Sequence, residues 1–115
     1  MAGSAVETVV SACCLVVRVR GEMDCETAPV LRPRFRELIA RGKRCVVLDL
    51  SGVSFCDSVG LGLLVGVWRQ AEAGEAVLVL ACVPEQVRRI IATTGLDQVL
   101  RCYATVTEAE AAVGG

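Results

Sequence analysis

Two short runs constrain this chain more than anything else in it. Arg44 to Leu50 reads Arg-Cys-Val-Val-Leu-Asp-Leu, and Ala76 to Cys82 is apolar at every position. A strand that is apolar on both faces describes the centre of a sheet covered from two sides. Between and around these runs the apolar period changes from continuous to helical. Leu31, Phe35, Leu38 and Ile39 lie at helical spacing in a segment from Thr27 to about Arg41, with Thr27 as cap, Pro29 in the first turn and Gly42 as stop. Pro33 removes a further backbone donor there and predicts a late start or a bend. Leu61, Leu64, Val65 and Trp68 form an i, i+3, i+4, i+7 stripe in a second helix from about Ser58 to Ala73. Pro84, Val87, Ile90 and Ile91 mark a third helix ending near Thr94-Gly95, and Thr107 caps a last one reaching Val113.

Ahead of these elements, Thr8 to Ser11 and Cys13 to Arg20 read as a strand pair joined tightly near Ser11-Ala12, broken by Gly21. Leu15, Val17 and Val19 fall on one face of the second strand; Cys14, Val16, Arg18 and Arg20 fall on the other. With a short strand at Val99 to Tyr103, the order is β-β-α-β-α-β-α-β-α. Such alternation predicts an α/β layer fold with right-handed crossovers between parallel strands.

Length and composition exclude much. At 115 residues there is room for one domain with a real core, and the 54% hydrophobic content argues against disorder. Twelve basic against thirteen acidic residues leave a net charge of -1, which cannot neutralise a phosphate backbone, so no nucleic acid partner is expected. Histidine is absent, which removes Ser-His-Asp and Cys-His catalysis and any His-ligated metal. The seven cysteines are odd in number and never spaced C-x-x-C. They read as small hydrophobes packed in a reducing compartment rather than as redox or metal groups. Residues 1–8 carry no basic-then-apolar leader pattern, and the run from Val59 to Trp68 is too short and glycine-rich to span a membrane. A cytoplasmic location is the expectation.

Chemistry concentrates between Leu48 and Leu61, where a buried strand gives way to a glycine-rich helix. Asp57 is placed to cap that helix and Ser58 lies in its first turn, where unpaired N–H groups tolerate a phosphate. For an Asp-Ser before a helix, plain capping is the more ordinary reading of both residues. An enzyme is not supported. Cys56 stands where a nucleophile elbow has glycine, Gly60-x-Gly62 lacks the third glycine of a dinucleotide loop, and no base accompanies any thiol. The carboxylates Glu22, Asp24, Asp49 and Asp57 could gather at one sheet edge around a cation, but nothing in their spacing demands it. No catalytic residue, metal or cofactor is expected.

Four segments in order carry a resemblance: Gly21-Glu22-Met23-Asp24, Val46-Val47-Leu48-Asp49-Leu50-Ser51, Phe55-Cys56-Asp57-Ser58-Val59-Gly60-Leu61-Gly62 and Thr94-Gly95-Leu96-Asp97. With them the chain resembles a STAS domain of the anti-sigma factor antagonist type, over about Val9 to Val113. Residues 1–8 are then a flexible tail, 9–113 a single domain and 114–115 a loose end. The resemblance implies a non-catalytic module that binds an anti-sigma factor, often a serine kinase of the histidine-kinase-like ATPase fold, and thereby frees a sigma factor. The alternative is a STAS interaction module of a transporter or stress-signalling complex. It also implies that Asp24 and the turn Asp57, Ser58, Val59, Gly60 and Leu61 form the partner-binding surface. Asp57→Lys or Gly60→Arg is then expected to abolish docking with the fold intact. In the family the kinase phosphorylates, and a phosphatase restores, the hydroxyl residue just before the glycine. Here that position is Val59, which has no oxygen. Either Ser58, one residue early, is the phosphoacceptor, or the chain docks without being switched off in this way.

Overall fold

The computed structural model describes residues 4–10 and 14–113. The elements are β1 (Ser4–Val10), β2 (Cys14–Met23), α1 (Ala28–Ile39), β3 (Cys45–Cys56), α2 (Ser58–Ala73), β4 (Val77–Ala81), α3 (Glu85–Thr93), a 3₁₀ turn (Leu96–Gln98), β5 (Cys102–Tyr103) and α4 (Val106–Val113). The five strands lie in the order β1-β2-β3-β4-β5. β1 pairs antiparallel with β2, and every later pair is parallel. A mixed-sheet α/β fold results, with the expected alternation. The connection at Ser11-Ala12 and residues 114–115 lie outside the described residues.

Register explains the layers. Leu15, Val46 and Leu78 stand side by side across β2, β3 and β4, as do Val17, Leu48 and Leu80. These rows face α1, α2 and α3, whose Leu31, Phe35, Leu38, Leu64, Val67, Val87 and Ile91 complete the larger core. The alternate positions Val16, Val47 and Val79 form a row on the opposite face, covered by Val106, Ala109 and Val113 of α4. Each large side chain fully buried in this way is worth roughly 1.5–3 kcal/mol. The continuous apolar character of β3 and β4 is thus explained: both of their faces are covered.

Several boundaries differ from expectation. β1 begins at Ser4 rather than Thr8, so part of the segment expected to be loose is paired, Ser4 with Gly21 and Glu7 with Arg18. β2 does not end at Gly21. That glycine takes φ 94° and the strand continues to Met23, with register shifts between Arg18 and Arg20 and between Gly21 and Glu22. A glycine with positive φ is absorbed as an irregularity when a partner strand holds both sides of it. The partner is β3, which runs past Leu50 to Cys56 for the same reason, pairing Val53 with Gly21 and Cys56 with Met23.

The helices show similar corrections. α1 starts on time and runs through Pro33, ending at Ile39 before Gly42 turns the chain at φ 80°. Thr27 stands at its N-cap without capping through its side chain. α2 has the expected bounds, but its buried face is Leu61, Leu63, Leu64, Val67 and Ala71, while Val65 and Trp68 are only half-buried. β5 keeps two residues of its expected five, because Leu100 folds back to bond Leu96. α4 is capped by Thr105, whose Oγ1 accepts from the Glu108 amide at 3.0 Å; Thr107 is exposed inside the helix.

Candidate functional site

Parallel neighbours deliver their following loops to the same end of a sheet. β2 ends at Met23 and β3 at Cys56, side by side, so the β2–α1 turn and the β3–α2 turn meet at one corner. Backbone contact locks them together: the Asp57 amide donates to the Met23 carbonyl at 3.3 Å. Gly60 packs on that same carbonyl. A Cβ at position 60 would lie 2.1 Å from the Met23 oxygen and 3.0 Å from Cys56 Sγ, so no side chain fits. Close approach to the sheet is what this glycine of α2 permits. Gly60→Arg therefore cannot leave the fold intact, contrary to expectation.

Two carboxylates shape the corner. Asp57 has extended backbone, and its Oδ1 accepts from the Val59 and Gly60 amides at 2.9 and 3.0 Å. Asp24 does the same for its own turn, Oδ1 accepting from the Glu26 and Thr27 amides at 2.9 and 3.0 Å. Thr27 is buried, its hydroxyl donating to the Glu22 carbonyl at 2.8 Å and accepting from the Asp24 amide at 3.0 Å. The donors expected to tolerate a phosphate at the head of α2 are thus partly taken by Asp57. A phosphate added here would stand near the Asp57 carboxylate, whose charge opposes it.

Among the six residues named for partner binding, the structure separates surface from support. Ser58 and Val59 are exposed, Asp24 and Asp57 are half-buried, and Gly60 and Leu61 are buried. Leu61 belongs to the core. Phe55, part of the motif but not named as a contact, is 43% exposed two residues ahead of Asp57. Strand parity did not reveal this, because the β2–β3 register shifts upstream of it.

Cys56 lies behind the turn, buried, with its Sγ donating to the Asp57 carbonyl at 3.6 Å. Burial, then the Asp57 charge, pushes its thiol up to about 11, so it is a poor nucleophile at neutral pH. Cys14 and Cys45 are buried as packing predicts, whereas Cys25 is exposed on the β2–α1 turn, contrary to that expectation. Asp49 does not join Asp24 and Asp57. It sits eight residues upstream of Asp57, on the α4 side of the sheet, its Oδ2 accepting from Arg18 Nε at 3.1 Å and its Oδ1 from the Ser51 amide at 3.0 Å.

This architecture has close counterparts. The chain is 32% identical over 84 residues to the anti-sigma-B factor antagonist of Staphylococcus aureus, covering 73% of this chain and 78% of that one. The crystal structure of an anti-sigma factor antagonist from Mycobacterium paratuberculosis matches with a TM-score of 0.89 and 31% identity, over 97% of this chain and 95% of the other. The cell fate determinant SpoIIAA of Bacillus, solved in its phosphorylated form, matches with a TM-score of 0.72 and 27% identity, over 95% and 99%. Residues 5–109 match the STAS domain, a span that takes in β1 at one end and the first half of α4 at the other. The chain belongs to the STAS domain family.

Proposed function

We propose that this chain is an anti-sigma factor antagonist, which docks through the Asp24 and Asp57 corner on an anti-sigma factor and so frees a sigma factor for transcription. Its similar proteins from Staphylococcus aureus and Mycobacterium paratuberculosis are an anti-sigma-B factor antagonist and an anti-sigma factor antagonist. The observation that carries the reading here is the corner itself: Ser58 and Val59 project to the outside from a turn held rigid by Asp57, Gly60 and the Met23 carbonyl. A small, preorganised and exposed knob suits recognition, since little ordering is left to do on binding. The work is binding rather than catalysis.

The anti-sigma factor in this reading is a serine kinase of the histidine-kinase-like ATPase fold, opposed by a phosphatase. Val59 offers the kinase no oxygen, so docking is not switched off at that position. Ser58 is the one hydroxyl in the turn and the candidate acceptor. Phosphate there would add roughly 1.5–2 negative charges beside a carboxylate already engaged with the local amides, and would oppose docking.

Binding of the purified chain to the kinase-type anti-sigma factors of its own genome, followed by calorimetry, tests the reading. Wild type is expected to bind one of them, and Val59→Arg to weaken that complex at least ~10-fold at unchanged melting temperature, since a bulky charge is placed on the knob. Absence of any complex, or equal affinity of the variant, refutes the proposal. Incubation with the bound kinase and ATP, with phosphate mapped by mass spectrometry, is expected to leave wild type unlabelled and to label Val59→Ser. Label at Ser58 in wild type, lost in Ser58→Ala, would show that the turn is switched after all.

A further inference from the structure

The corner is acidic, but the cleft running back from it is not. Glu22, Asp24, Glu26 and Asp57 surround the two turns, whereas one to two helical turns further on Arg32 and Arg36 of α1 line a cleft with Gly62, Gly66 and Gln70 of α2. The cleft holds about 100 Å³. Among the described residues neither guanidinium has a carboxylate within ion-pair distance, although Arg34 and Arg41 of the same helix region are both held by Glu37. The wall itself is tied, Gln70 Nε2 donating to the Arg36 carbonyl at 3.0 Å.

The two glycines are not required by the fold. A Cβ at Gly62 or at Gly66 would meet nothing within 4 Å, and neither has positive φ, in contrast to the 2.1 Å collision at Gly60. Their effect is external. Spaced one helical turn apart, they leave the α2 side of the cleft only the buried Leu63 and Val67 and the Gln70 side chain, and let another backbone come close.

We infer that this α1–α2 cleft is the second half of the docking face and seats an acidic helix of the anti-sigma factor; the inference rests on the antagonist reading above. Two glycines one turn apart let a helix reach the ~8–10 Å axial separation of packed helices. Two uncommitted guanidiniums present forked donors that suit carboxylates. The cleft is continuous with the knob, because Ser58, Gly62 and Gly66 follow one another at four-residue spacing along α2. The acidic corner at its open end disfavours a polyphosphate occupant. The partner is therefore bipolar, with basic groups against Asp24 and Asp57 and acidic groups against Arg32 and Arg36.

Calorimetry with the anti-sigma factor that binds wild type separates the outcomes. Arg32→Glu/Arg36→Glu is expected to lose ~30-fold in affinity at low salt and much less at about 0.5 M salt, where exposed charges are screened. Gly62→Ala/Gly66→Ala is expected to lose ~10-fold at both salt concentrations while melting higher than wild type, a combination that a structural role cannot produce. Reversing one acidic residue of the partner helix to lysine is expected to restore binding to the arginine variant. If wild type binds and both double variants bind within twofold of it, this inference falls and the antagonist reading stands. If wild type binds none, both fall. A homodimer dissolved by these substitutions, with the anti-sigma complex untouched, also overturns it.

Discussion

Asp24, Asp49 and Asp57 share one local habit: each carboxylate bends back onto a backbone amide two or three residues ahead. At Asp24 and Asp57 this closes a turn. At Asp49 it repairs a strand. The register moves from Arg18 opposite Asp49 to Arg20 opposite Gly52, so β3 carries one residue more than β2 over this stretch, and there Asp49 Oδ1 accepts from the Ser51 amide. Burial alone would raise the Asp49 pKa, but the Ser51 amide and hydroxyl and then Arg18 outweigh it and hold the carboxyl below its ordinary 3.8. A folded-state pKa depressed in this way stabilises the protein fully above the unfolded value, and that contribution is lost as pH falls through the folded one. Asp49→Asn is therefore expected to cost about 1–3 kcal/mol at pH 7. Urea melts of both proteins should converge below the ordinary 3.8. A difference that stays constant into acid would show that the charge of Asp49 contributes nothing. The Asp57 role was partly legible in advance, because Asp-Ser before an apolar helix is a capping pattern, whereas Asp24 stands before Cys25 and carried no such signal. The Asp49 role was not, since no sequence period announces a bulge.

At the scale of elements, legibility followed how local the deciding contact is. The bounds of α2 were readable because its N-cap, Asp57, and its stop, Gly74, lie in the segment itself. Its buried face was misplaced by part of a turn. Val65 and Trp68 look as apolar as Leu63 and Val67, and only the position of α1 and the sheet decides which pair is covered. The overrun of β2 and β3 has the same origin, since each strand is prolonged by the other. α4 provides the cleanest test. Thr105 and Thr107 are both plausible caps, and the structure chooses the first. Thr105→Ala should therefore lower stability by about 1 kcal/mol, as loss of a capping oxygen does. Thr107→Ala, on an exposed position inside the helix, should leave stability unchanged or slightly raised. Thermal melts in which the two effects are reversed would return the cap to Thr107.

For the whole molecule, thiol accessibility reports how the layers close. Cys14 and Cys45 lie in the smaller core under α4, and Cys56 lies behind the Asp57 turn, whereas Cys25 is exposed. Among the described cysteines, native alkylation mapped by mass spectrometry is expected to label Cys25 first, and Cys14, Cys45 and Cys56 only as the chain unfolds. Early labelling of Cys45 would mean that α4 does not stay on the sheet. The sequence by itself determined the element order, the two central strands and the turn that carries Asp57 and Ser58, because caps, glycines and apolar periods act over a few residues. Only the tertiary structure decided that Met23 stands beside Gly60 and that Arg32 and Arg36 share a cleft with Gly62 and Gly66 of α2. Those relations join residues some thirty positions apart, and they are set by strand register and helix packing, which no short stretch of chain encodes alone.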